Sequence, residues 1–355
     1  MARAPKLEEE RPPHDALDGV PLPRTTQILV GHQAAEQVLL EAYRSGRMHH
    51  GWVLAGERGI GKATLTFRLA RFMFAHPDPE APEVAAARDL AVPAEHPAAK
   101  HVAAGVHPNL LHLQREWNPK ASKFRTDIAV ETVRRVNHFL GTTAGEEGWR
   151  VAIVDPADDM NRNAANAILK NLEEPPRKTL FLLISRSRGA LLPTILSRCR
   201  SLDLAPLSAA ETDTVMRSIA PDFADARESG LAAALAGGSP RRLVELRRND
   251  GVELYKLMLR AIEANDRRAQ IRLSSLAADA AVQERITELL EGYISRRVRG
   301  TAEPTPDARP PTAPLVTWAE LWEKLTLSGR DVETYNLDRR QFMLDLLETS
   351  AAALH

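Results

Sequence analysis

Three short apolar runs constrain the fold of this 355-residue chain more than any other feature: Trp52-Val53-Leu54, RVAIVD at 150–155 and LFLLIS at 180–185. Uninterrupted runs of this kind suit strands that are covered on both faces. NLLHLQR at 109–115 adds a further strand-like segment. Helical spacing appears at 33–46 through Ala35, Val38, Leu39 and Tyr43, and at 62–75 through Leu65, Leu69, Phe72 and Met73. It recurs at 126–140, with Thr126 as N-cap, and at roughly 161–173, which must stop before Pro175-Pro176. Strands alternating with helices imply a mostly parallel sheet, an α/β domain.

The first strand runs into GERGIGKATL at 56–65. Gly56, Gly61 and Lys62 have the G-x-x-x-x-G-K spacing of a phosphate-binding loop, with Gly59 between them, and strand–loop–helix is the setting such a loop requires. Its N–H groups and the helix N-terminus can face a phosphate, to which Lys62 adds charge. The hydroxyl that would hold Mg²⁺ is missing, because position 63 is alanine and Thr64 comes one place late. Taken alone, the same residues also fit a plain glycine turn. Asp155 ends an apolar strand, where an acidic residue can hold Mg²⁺ through water. It is followed by Pro156, which cannot polarise a water, and Asp158 and Asp159 are spaced differently from a catalytic glutamate. An acidic turn ahead of a helix is the ordinary alternative.

Beyond residue 206 the strand pattern ends and helical segments follow, interrupted by TAEPTPDARPPTAP at 301–314, which reads as a surface loop. The expected organisation is a flexible leader at 1–23, an α/β domain at 24–205, a small helical lid domain at 206–250 and an all-α C-terminal domain at 251–355. Residues 76–108, rich in Ala, Pro and His without periodicity, read as an insertion or long loop. Lys+Arg and Asp+Glu both number 47, so no global charge draws the chain to nucleic acid or an anionic membrane. No apolar run approaches the roughly 18 residues of a membrane span, and the charged, proline-containing N-terminus is unlike a signal peptide. A soluble, cytoplasmic protein is expected. The single cysteine, Cys199, excludes an intrachain disulfide and a four-cysteine zinc site.

NAANAILKNLEEPP at 163–176 and LLPTILSRC at 191–199 carry a more specific signal. With VGHQAAEQVL at 30–39 and HHGWVLAGERGIGKATL at 49–65, they resemble the delta prime family of bacterial clamp-loader subunits, members of the AAA+ class. The resemblance covers about residues 24–250 by motif. It implies an AAA+ P-loop domain, a helical lid and a helical collar, with the C-terminal helices holding a pentameric ring together. It also implies tau/gamma-type motor subunits and a delta subunit as partners, with the β sliding clamp and primer-template DNA reached through the complex, and no membrane partner.

By the same resemblance, Arg198 in the Ser-Arg-Cys segment would reach a neighbouring subunit's ATP and stabilise charge on its γ-phosphate, although a surface arginine ending a helix is the simpler reading of that residue alone. Arg241 in GGSPRRL would contact a nucleotide phosphate, and Ser185 would stand near the sensor 1 position. The sequence departs from the family at two points. The insertion lacks the four zinc-binding cysteines, so no zinc is expected, and His76, His96, His101 and His107 are expected to be solvated. Ala63 and Pro156 remove parts needed for hydrolysis, which makes ATP or ADP binding at this chain's own loop optional rather than required. The expected function is therefore a non-motor subunit, and the alternative is a self-sufficient AAA+ ATPase.

Overall fold

The computed structural model describes residues 13–141, 148–223, 229–300, 304, 314–335 and 338–354. They form two compact units, Met1–Ala224 with Gly238–Pro240, and Asp225–Gly237 with Arg241–His355. The proline-rich 301–314 segment and residues 1–12 of the expected leader lie almost wholly outside the described residues.

In the first unit the described residues form seven strands: β1 (Gly51–Ala55), β2 (Leu110–Leu113), β3 (Trp117–Asn118), β4 (Lys123–Phe124), β5 (Arg150–Val154), β6 (Thr179–Ser185) and β7 (Arg200–Asp203). Five of them make one parallel sheet in the order β2-β5-β6-β1-β7, and β3 and β4 form a separate antiparallel pair. Its helices are α1 (Gln33–Arg44), α2 (Lys62–Ala75), α3 (Pro82–Ala86), α4 (Pro97–Ala104), α5 (Val130–Gly141), α6 (Arg162–Glu173), α7 (Pro193–Leu196) and α8 (Ala209–Ile219).

The uninterrupted apolar runs follow from burial on both sheet faces. Trp52, Leu54, Val151, Ile153, Leu180, Leu182 and Ile184 join the core beneath α1 and α2. Their alternating neighbours Val53, Ala55, Ala152, Val154, Phe181 and Leu183 join the opposite core beneath α5 and α6. This is the parallel sheet flanked by helices that the sequence pattern implies.

Three local expectations differ from what is observed. Thr126 does not cap α5, which begins at Val130. Residues before it are extended, because Ile128 bridges to Met160, donating its N–H to Asp159 O at 2.7 Å and accepting from Asn161 N. The 76–108 insertion contains α3 and α4 and feeds Val84, Leu90, Val92, Ala99 and Val102 into the core. His14 and Asp15 of the leader are anchored as well, by contacts described below.

Hydrogen bonds from α1 hold the insertion. Arg44 Nε donates to Val84 O at 3.2 Å and Gln37 Nε2 to Arg88 O at 2.5 Å, while the buried Glu36 carboxylate accepts from Leu90 N at 3.0 Å and from Arg68 Nε at 2.5 Å. The insertion has no cysteine, and of its four histidines His107 is not solvated as expected but buried, stacked flat on Phe74 at 3.8 Å.

The second unit contains α9 (Ser229–Ala236), most of α10 (Pro240–Arg248), α11 (Gly251–Glu263), α12 (Arg267–Leu276), α13 (Ala280–Arg299), α14 (Leu315–Tyr335) and α15 (Arg339–Ala352). Among the described residues no strand follows β7. No described helix is long and apolar enough to cross a membrane.

Glu36→Ala should leave the Leu90 N–H unpaired and Arg68 with only the exposed Asp89 carboxylate at 3.5 Å, at a cost of about 3 kcal/mol in denaturant-measured stability. The loss should appear first as protease sensitivity within 76–108. Glu36→Gln, which keeps an acceptor, should cost less.

Candidate functional site

The phosphate-loop residues gather at the carboxyl edge of the sheet. Gly56 follows β1, Asp155 follows β5 and Ser185 ends β6. In open α/β sheets this edge is where ligands bind. Gly56, Gly59 and Gly61 adopt φ of 153°, 78° and 111°, a region that side chains disfavour. Gly56 is further constrained by space, since a Cβ there would lie 2.5 Å from Leu204 O. Gly61 is the N-cap of α2, and Ala63 and Thr64 lie in that helix's first turn.

Lys62 is 6% exposed and folds back over the loop, donating to Gly56 O at 2.6 Å and Glu57 O at 2.5 Å. Burial pushes its pKa down to about 8, against the pull of Asp155, Asp158 and Glu57, with Arg186 adding to the fall. The ammonium thus satisfies the loop's own carbonyls.

The acidic residues nearby are engaged structurally. Asp158 accepts from the Ser185 hydroxyl and from Arg186 N at 2.7 Å, and Asp159 accepts from Arg115 Nε at 2.5 Å. Asp155 Oδ2 stands 3.7 Å from His112 Nε2. Ser185, at the expected sensor 1 place, is fully buried and serves Asp158.

Three contacts on the loop come from residues that sequence reasoning did not single out. His32 Nε2 lies 2.7 Å from Ile60 O, and Ser239 Oγ donates to Arg58 O at 2.7 Å. From the leader, Asp15 pairs with Arg58 at 2.7 Å while His14 meets Phe124 edge-on. None of these long-range contacts leaves a local pattern in the sequence. Arg241 belongs to the second unit, with its Nε 2.9 Å from Glu245 one turn along α10.

Arg198 lies elsewhere. The segment between α7 and β7 packs against Gly51, at the amino end of β1: a Cβ on Gly51 would lie 2.8 Å from Cys199 Sγ, 3.3 Å from Leu172 and 3.4 Å from Arg198 O. The loop starts at the other end of the strand, a separation of roughly 16 Å at about 3.3 Å per residue. Arg198 therefore stands at the sheet edge opposite its own chain's loop. Its guanidinium is about one-third exposed, with Nη1 donating to Thr194 O and Ser197 Oγ and Nη2 lying 2.7 Å from Glu173 Oε1. Burial pushes the neighbouring Cys199 thiol up to about 12, so it stays protonated and serves as packing.

The family described as DNA polymerase III, delta subunit, matches residues 31–208, half of the chain. The chain belongs to this family. The matched span holds the sheet, the glycine loop and Arg198. Among individual relatives, the DNA polymerase III subunit delta' of Pseudomonas aeruginosa is 38% identical over 54% of this chain and 53% of its own. That of Escherichia coli is 29% identical over 63% of this chain and 62% of its own. A DNA polymerase III subunit gamma of Buchnera aphidicola is 24% identical over 52% of this chain and 46% of its own. The matches thus span about half to three-fifths of these relatives' lengths. The parallel sheet, with the glycine loop after β1, is the α/β arrangement that the sequence pattern implies.

Folded Lys62 releases its proton near pH 8, whereas an unfolded lysine holds it to about 10.5. Between those values the unfolded chain binds more protons, so stability rises with pH across the window, and the burial penalty is fully present below it. Relative to Lys62→Met, the native chain should gain on the order of 3 kcal/mol from about pH 7.5 to 10.5. Parallel unfolding curves for the two proteins would contradict this account of the loop.

Proposed function

We propose that this chain is the stationary, delta prime-type subunit of the bacterial DNA polymerase III clamp loader. It shares a pentameric ring with ATP-hydrolysing tau/gamma-type subunits and a delta subunit. The ring places the β sliding clamp on primer-template DNA in the cytoplasm. Arg198 completes a neighbour's ATP site, and the chain itself needs no resident cofactor or zinc. The helices from 251 onward serve as its part of the collar, and Ser185 is a remnant of a nucleotide site.

The observation that carries this reading is the position of Arg198 at the sheet edge away from its own phosphate loop. Any phosphate that it contacts belongs to another molecule. An arginine supplied in this way stabilises the transition-state charge of phosphoryl transfer and is worth about 10³–10⁵ in turnover in other systems. Ala63 and Pro156 support the second half of the proposal. The first offers Mg²⁺ no hydroxyl and the second offers an attacking water no base, while Asp158 and Asp159 are held by Ser185, Arg186 and Arg115.

The competing reading, a self-sufficient ATPase, is tested on the purified chain alone. ATP turnover should stay at background with Mg²⁺ and primed DNA present, and Lys62→Ala should not change it. Sustained turnover that Lys62→Ala abolishes would overturn the stator reading.

A further inference from the structure

Glu173 occupies an electrostatically poor position. It is the last residue of α6, and Glu174 follows it. Two carboxylates therefore stand where the helix's free carbonyls already concentrate negative charge, an arrangement that costs about 0.3–1 kcal/mol per charge. Lys170 in the same turn offsets part of this. Departures from local preference with no local benefit tend to mark functional positions.

What Glu173 gains is Arg198. Its Oε1 lies 2.7 Å from Nη2, while Thr194 O and Ser197 Oγ take Nη1 at 3.0 and 3.1 Å. The guanidinium is thus held from α6 on one side and α7 on the other. The main chain beneath it is equally constrained, because Leu172, Cys199 and Arg198 O all crowd Gly51. An arginine side chain carries about 2 kcal/mol of rotamer entropy, which a residue reaching across an interface must lose before it can act. The pair itself adds little stability, since its members are 35% and 48% exposed. Its effect is therefore on orientation.

We infer that Glu173 is the positioning residue of Arg198, fixing the guanidinium in the direction from which it meets a neighbouring subunit's nucleotide. The inference rests on the trans-acting reading of Arg198 above.

The test is steady-state ATP turnover of the reconstituted loader, with assembly checked by mass. Glu173→Gln should lower kcat about two- to fivefold with KM unchanged, the scale of one exposed charge-assisted contact. Glu173→Asp should recover part of the loss. In an Arg198→Ala background, Glu173→Gln should have no further effect, because Glu173 acts only through the arginine. Native turnover in Glu173→Gln would overturn the inference, as would increased turnover, which would mean that the carboxylate restrains Arg198. A further loss on top of Arg198→Ala would also overturn it, by showing that Glu173 acts elsewhere. Those results leave the role of Arg198 standing, provided Arg198→Ala itself lowers turnover. If it does not, the trans-acting reading fails and takes the role of Glu173 with it. Should Glu173→Gln impair assembly, Glu173→Asp carries the same comparison with Arg198→Ala.

Discussion

The close packing at the two ends of β1 is the constraint on which the rest of the site depends. At its amino end, Gly51 leaves no room for a Cβ between Cys199 Sγ, Leu172 and the Arg198 carbonyl. Just past its carboxyl end, Gly56 leaves none beside Leu204 O. The strand between them is buried on both faces and paired on both edges, by β6 and by β7. One rigid five-residue element thus sets the phosphate loop and the arginine segment at opposite edges of the same sheet. The division of labour proposed for this chain follows from that separation.

At the carboxyl edge the polar groups mostly satisfy one another. Lys62 bonds the loop's own carbonyls, Asp158 bonds Ser185 and Arg186, and Asp159 bonds Arg115. His32, Ser239 and the leader's Asp15 add contacts that fix the loop from three sides. Buried polar networks of this kind hold a single conformation when fully satisfied. The glycine loop keeps its positive-φ backbone, and the side chains around it are used to stabilise that geometry. The amino edge is different: Arg198 and Glu173 are both partly exposed, at the surface of the unit.

Much of this was legible in the sequence because it is local. The strands at 150–155 and 180–185 are continuous apolar runs, and the glycine loop has fixed spacing after a strand. Strand β7 was not legible, because RSLD is an edge strand only partly buried and its polar residues carry no apolar run. The helices of the insertion were hidden for a related reason. They contribute Val84, Ala99 and Val102 at wide intervals and depend on Glu36, Gln37 and Arg44, some 40 or more residues earlier. Thr126 looked like a cap on spacing alone, but pairing of Ile128 with the 159–161 segment holds that stretch extended. Arg198 was found by motif, whereas its partner Glu173 is visible only once α6 and α7 are placed side by side.

The claim that this chain contributes catalysis to a site on another chain is tested most directly by one rate. Loader assembled with Arg198→Ala should reach normal stoichiometry and bind ATP normally, yet its single-turnover hydrolysis at the site facing this chain should fall by about 10³-fold or more. Hydrolysis at that site unchanged within twofold, in a fully assembled complex, would contradict the account.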